Sequence, residues 1–392
     1  MVRPLRIGDD ERRARLVVRQ HLDRSASGTV DAVRGVVALH ATDPTTPPLA
    51  LWARVPNLAI ADVEADLYDA RVLCRRHAMR RTLFVVPAAD AAMFDAAVGA
   101  DVAAKERRRL ETWLAAELSE DAIASWLADA REAVLDVLAD GSQWRTQELV
   151  SAVPALALEV TLGSGKWATR SPVSSRLLFV MAMEGEIVRA RPAGSWRSSQ
   201  YRWAAADRWW SATLPPMDSV TGRAALAARY LATHGPVTLA DVRWWTGWTA
   251  TSARAALADV GAVTVRLDSG DDGYVLPDDV EAAPAVGSSV ALLPGLDSTT
   301  MGYKDRGWYL GPHRDRLFDR NGNAGPTVWV DGRIVGGWGQ RPDGEVVLGC
   351  LEDLPTDQAD RVAQEARALT DWLAGEVVSA RFPTPLEREL SR

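Results

Sequence analysis

The spacing of apolar residues changes several times along the chain, and each change marks a predicted element. Between residues 7 and 24, Leu16, Val17 and Leu22 follow roughly at helical spacing behind Asp9, Asp10 and Glu11, whose charges suit a helix N-terminus. Thr29 caps the next predicted helix, which is apolar from Val33 to Leu39 and is stopped by Pro44. Leu49 to Arg54 resumes as a helical turn, and Ile60 to Tyr68 reads as a short helix. From Leu73 to Val86 the run turns β-rich and Pro87 closes it. Residues 88 to 140 are Ala-rich and helical by propensity, with Asp90 as a cap.

Two stretches then repeat one order: helices, followed by a two-stranded ribbon. In the first, a helix starts at Trp144 to Val150 with Thr146 as cap, and another runs from about Ser171 to Glu184. Gly185 to Arg191 and Ser199 to Trp203 are the ribbon strands, turning at Pro192 to Ser195. Pro215-Pro216 marks a boundary. In the second, Ala224 to Thr233 is helical, Thr238 caps a helix carrying Asp241, and Thr249 to Val260 is a third helix. Val263 to Leu267 and Gly273 to Leu276 form its ribbon. This order predicts tandem winged helices, in which a helix can fill a groove while a charged ribbon grips backbone; such units also serve as protein-interaction modules.

Residues 288 to 351 read as β-rich, with strands at Val290 and Val346 and a hairpin turning at Asp331-Gly332. Asp357 to Val378 is an amphipathic helix. The expected fold is α+β and mainly helical: a helical domain over 1–140, winged helices over 141–214 and 215–284, and a β-rich, barrel-like domain over 285–392.

Composition changes this picture in three places. Formal net charge is −7, awkward for a nucleic-acid binder, but a local positive face is what matters there. Lys166 to Arg202 supplies one, with Lys166, Arg170, Arg176, Arg189, Arg191, Arg197 and Arg202 against Glu184 and Glu186. Arg75, Arg76, Arg80 and Arg81 make a second cluster, and Lys105 with Arg107 to Arg109 reads as a solvated helix face. Sixteen Trp against five Phe either fill core or, where Arg adjoins, stack on bases or cations. Two distant Cys and five scattered His lack metal-ligand spacing, so neither a metal nor a cofactor is expected. No apolar run reaches membrane-spanning length, and Met1 to Leu5 lacks the apolar core of a signal peptide. The expected setting is the cytoplasm, at the bacterial nucleoid, as a monomer.

The candidate chemistry sits at residues 36–54. His40, Thr42 and Asp43 can hold or deprotonate water, and they fall where an apolar segment meets a Pro-rich turn. Residue types alone favour the plainer reading, in which His40 and Thr42 close one helix and Asp43 caps the next segment.

This stretch resembles the signature of the AlkZ/YcaQ family of winged-helix DNA glycosylases: a Gln-x-Gln or Gln-x-Asp pair, an acidic residue, a Pro-containing turn and a Leu-Trp-Ala-Arg-like helix. His40 and Thr42 stand at the two catalytic polar positions, with neither Gln present; Asp43, Trp52 and Arg54 fit the flanks. Met79 to Phe84 resembles the family's Met-Arg-Gly-Thr-Leu-His strand, with Arg81 for Gly and Phe84 for His. Residues 229–247 and 292–306 carry two further blocks. The resemblance implies tandem winged helices, a concave basic surface, and hydrolysis of the N-glycosidic bond of N7-alkylated, bulky or crosslinked purines in double-stranded DNA. It makes His40, Thr42 and Asp43 the catalytic set. Arg80, Arg81, Lys166, Arg170, Arg191, Arg197, Lys304 and Arg306 are the expected DNA contacts, and His40 is expected to act as a base near neutral pH. The competing reading is a noncatalytic DNA-binding protein with the same fold, and a protein-interaction scaffold is a third.

Overall fold

Carboxylates at the first turn start the Asp9–Arg19 helix, whose Leu16 and Val17 are buried. The structure is a computed structural model, and it describes residues 5–163, 165, 168–210, 215–283, 287–378 and 383–392. Helix outweighs strand, and the strands make five small sheets. The mixed, mainly helical class expected from the sequence is therefore present.

The barrel-like end is not. Val290–Leu293, Thr327–Val330, Arg333–Gln340 and Val346–Cys350 pair antiparallel in that order, as an open sheet. Its two edge strands do not pair with each other; the Thr356–Leu373 helix packs against both of them instead. A covering helix shields the edges that closure would otherwise remove. The hairpin does turn at Asp331-Gly332, where both residues take positive φ, 50° and 77°.

The two helix-then-ribbon stretches have the expected order. The first has helices Thr146–Ala152 and Ser174–Met183, then strands Ile187–Pro192 and Tyr201–Ala205, with Trp144–Arg145 added beside the latter. A hairpin of Glu159–Leu162 and Thr169–Pro172 separates its helices, so Ser171 is in a strand rather than at a helix start. The second has helices Ser219–His234, Leu239–Thr246 and Ala250–Asp259, then strands Val263–Leu267 and Asp272–Val275. Thr238 and Asp241 cap the Leu239–Thr246 helix reciprocally, and Gly247 ends it at φ 79°. Strand Arg6–Ile7 joins this ribbon in parallel, tying the N-terminal segment to it.

The largest apolar core draws on Leu16, Trp52, Phe94, Tyr230, Trp329 and Val362, so distant segments share one interior. Trp372 on the Thr356–Leu373 helix joins three of them at the edge of that core. Its indole donates to the Leu58 carbonyl at 2.6 Å, and its ring lies 6.1 Å from Trp52 and 6.3 Å from Trp196.

Candidate functional site

The predicted helix over Val33 to Leu39 stops early. It spans Thr29–Gly35, and Val37 takes a left-handed φ of 67° that no helix continues through. The chain then extends, and Leu39–His40 becomes an edge strand on Leu83–Pro87, itself paired with Leu73–His77. His40 thus sits on a sheet rather than at a helix end, opposite Phe84 and edge-on to its ring at 5.4 Å between centroids.

His40 is 9% exposed. Its main-chain N–H donates to Ser298 Oγ at 3.3 Å, and that hydroxyl donates to the Ala38 carbonyl at 2.6 Å. The Nδ1 atom is buried and has no hydrogen-bond partner. Burial brings the imidazole down to about 4, and the Arg80 charge pushes the same way against a smaller pull from Asp297. His40 is therefore neutral at neutral pH, which corrects the expectation of a base titrating there.

Thr42 and Asp43 go elsewhere along the same segment. Thr42 is exposed, and both line a cavity of about 570 Å³ with Pro294, Gly295, Asp319 and Trp338. His40 is not among its lining residues. One Asp43 oxygen, Oδ1, accepts from Thr45 N–H at 2.9 Å and Thr45 Oγ1 at 2.7 Å, so the turn-capping reading holds for that atom.

Arg80 and Arg81 form the loop between the two long strands of this sheet, and both have positive φ, 53° and 66°. A non-glycine backbone held there is strained, and two in succession pin the loop's direction. Arg80 projects over Trp244 at 4.1 Å from the ring centroid, and Arg306 approaches the same indole at 4.9 Å. Burial and the Arg306 charge both lower the Arg80 guanidinium. Among the described residues neither arginine has a carboxylate partner. Lys304 is exposed beside them. Two cations on one indole, without a counter-charge, suit an anionic ligand.

The remaining expected DNA contacts are occupied by acids. Arg81 pairs with Glu106 at 3.0 Å, Arg170 with Glu117 and Glu159, Arg191 with Glu64 and Asp69, and Arg197 with Glu376. Lys166 lies outside the described residues. Arg107 and Arg109 on the supposed solvated face also pair, with Glu184 and Glu106.

Sequence reading missed Trp244, whose place between two arginines needs a fold to be seen. It also missed what the family blocks do. Arg54 from the first block meets Asp297 from the third as a buried, two-pronged pair. Asp241 from the second accepts from the Lys304 and Asp305 main-chain N–H groups at 2.8 and 3.4 Å.

The site sets two guanidinium groups without a carboxylate partner on one indole, and a neutral imidazole whose buried Nδ1 has no hydrogen-bond partner among the described residues. The chain belongs to the AlkZ-like DNA glycosylase family: the family described as DNA glycosylase AlkZ-like matches residues 33–372. That membership makes DNA its substrate and DNA repair by base release its field. Its fold is similar to that of Streptomyces sahachiroi DNA glycosylase AlkZ, at 20% identity and a TM-score of 0.68, covering 97% of this chain and 99% of that one. A comparison with curated proteins finds no match. No helix among the described residues is long and apolar enough to cross a membrane.

Proposed function

We propose that this protein hydrolyses the N-glycosidic bond of N7-alkylated purines, bulky or crosslinked ones included, in double-stranded DNA, and that it works as a monomer in the cytoplasm. The observation that carries the reading is the unpartnered, buried Nδ1 of His40 beside the Arg80–Trp244–Arg306 cluster. Alkylation at N7 leaves the base positively charged. When the C1′–N9 bond breaks, the base takes the bonding pair and leaves neutral, and the sugar becomes an oxocarbenium ion. Water then adds to C1′ and loses a proton. A weak base suffices for that last step, because water already bonded to the cationic sugar is strongly acidic. The scheme requires the buried His40 to reach the cavity that Thr42 and Asp43 line once DNA is bound: there neutral His40 accepts a hydrogen bond from this water, Thr42 orients it, and Asp43 stabilises the positive charge.

Arg80, Lys304 and Arg306 hold the phosphate backbone in this scheme, and the two helix-and-ribbon units act as winged helices around the duplex. Arg81, Lys166, Arg170, Arg191 and Arg197 remain as outer contacts, four of them in competition with the acids named above.

A second reading has specific support. His40 has a low proton affinity and does not line the cavity that Thr42 and Asp43 share, which favours a noncatalytic DNA binder. Release of N7-methylguanine and unhooking of a crosslink, by the protein and by His40→Ala, separates the two. Release that the variant loses while DNA affinity survives supports catalysis. No release from either, with salt-sensitive DNA binding, supports the binder.

A further inference from the structure

A second set of cations lies where the Leu73–His77 strand meets the Ile187–Pro192 strand, away from the Arg80–Trp244–Arg306 cluster. Residues two apart on a strand share a face, so Arg75 and His77 turn one way while Arg76 turns to Asp95 on the other. Arg189 comes to them from the ribbon: its guanidinium bonds His77 Nε2 and lies 5.1 Å from the Trp203 ring centroid. A register shift between Arg189 and Pro192 bends this strand, the usual way a bulge re-aims a side chain. Arg75 donates to the Tyr68 hydroxyl at 2.7 Å, and its guanidinium lies 4.7 Å from the Tyr201 ring centroid.

Among the described residues neither Arg75 nor Arg189 pairs with a carboxylate. The acids around them are taken, Glu64 and Asp69 by Arg191 and Asp95 by Arg76. Two polar atoms of the cluster are buried without a partner: Arg75 Nε and the Tyr201 hydroxyl oxygen. Burial, chiefly, lowers the Arg189 guanidinium to about 10, with a smaller push from the Arg75 charge. Such an arrangement is costly by itself, since unpaired charge and unmet donors both penalise the folded state.

An oxyanion removes both penalties. Guanidinium groups present flat N–H forks matched to phosphate oxygens, and the Tyr201 hydroxyl adds a neutral donor. We propose that Arg75, Arg189 and Tyr201, with His77 Nε2 holding the Arg189 guanidinium, form a seat for one phosphate group at the junction of sheet and ribbon. Its ligand is either a backbone phosphate of DNA or a free phosphate, and the proposal does not depend on base release. A noncatalytic DNA binder would carry the same seat.

The test compares the full chain with Arg189→Gln, Arg75→Gln and Tyr201→Phe, using Arg341→Gln, an exposed arginine paired with Glu345, as a surface control. Thermal unfolding is followed in inorganic phosphate and in chloride at equal ionic strength, and affinity for undamaged duplex DNA is measured across a salt series. Phosphate is expected to raise the Tm of the wild type and of the control, and not that of Arg189→Gln or Arg75→Gln. Without phosphate, Arg189→Gln is expected to unfold at or above the wild-type temperature, because it removes a repulsion; a purely structural arginine would give the opposite sign. A fall of about 1 in the slope of log affinity against log salt for the Arg variants assigns the seat to DNA. An unchanged slope with the phosphate effect intact assigns it to free phosphate. No phosphate-dependent Tm difference and no change in slope overturns the proposal.

Discussion

Arg54 and Asp297 are 243 residues apart in sequence and meet as a two-pronged ion pair, Nη2 to Oδ1 at 2.8 Å and Nη1 to Oδ2 at 3.0 Å, with both side chains fully buried. The Arg54 fork is otherwise filled by the Gln20 and Ala50 carbonyls and by Thr299 Oγ1, which itself donates to Gln20 Oε1. Every donor has a destination, which is the condition for such a pair to be tolerated in an interior.

Removing one partner strands the other charge. Arg54→Ala or Asp297→Ala is expected to cost roughly 3–5 kcal/mol in urea unfolding, whereas the double replacement Arg54→Met with Asp297→Leu is expected to cost less than either single change. Equal or greater loss in the double variant would count against the pair being held mainly by mutual need.

The buried histidines give stability a pH dependence of fixed sign. In the folded chain His40 is lowered to about 4 and His234 to about 3, both chiefly by burial, and His77 also lies well below its ordinary value. Unfolded histidine titrates near 6.5, so below that value the unfolded chain binds more protons than the folded one. The stabilisation is complete above about pH 6.5 and is lost as pH falls toward 4 and 3. His40 accounts for roughly 3 kcal/mol of it. Denaturant midpoints taken from pH 7 to pH 4 should fall steadily, and His40→Gln should make the fall shallower.

The same His40→Gln variant restores the residue type of the family pattern at this position. Release of N7-methylguanine is expected to survive in it and to drop by about 100-fold or more in His40→Ala. Equal losses in both would point to a need for imidazole itself.

Arg306→Ala is expected to weaken DNA binding evenly across sequences and to reduce the salt slope by about 1, since a phosphate contact carries no base information. A sequence-dependent loss would instead put Arg306 on a base edge.

Backbone strain at Arg81 predicts a difference between two small residues. Both Arg81→Gly and Arg81→Ala lose the ion pair to Glu106, so only the φ of 66° separates them. The Gly variant is expected to be more stable by about 1 kcal/mol, read from paired denaturant curves.

What the sequence made legible follows from which interactions are local. Capping at Thr238 and Asp241, the turn at Asp331-Gly332 and the order of helices and ribbons rest on neighbours a few positions apart, and these were readable. The helix assigned to Val33 through Leu39 failed because the apolar run allows either period, and pairing with Leu83–Pro87 decides it. The open C-terminal sheet was not foreseeable, because only the fold shows the Thr356–Leu373 helix lying across both edge strands. At the site, the family blocks pointed to the right neighbourhoods while their roles stayed hidden: Arg54, Asp241 and Asp297 join segments to each other. Counting basic residues likewise overstated the free positive charge, since Arg170, Arg191 and Arg197 each find an acid that only the fold brings near.

The meeting of Trp52, Leu58 and Trp196 on Trp372 has an optical consequence. Its indole sits where the N-terminal segment, the first ribbon's turn and the Thr356–Leu373 helix converge, and its N–H is bound to a carbonyl 314 residues away. Indole emission depends on that bond and on neighbouring rings, so any parting of the three segments registers as a change in colour and brightness. With sixteen Trp in the chain, the part of the emission that Trp372→Phe removes reports whether these segments stay joined.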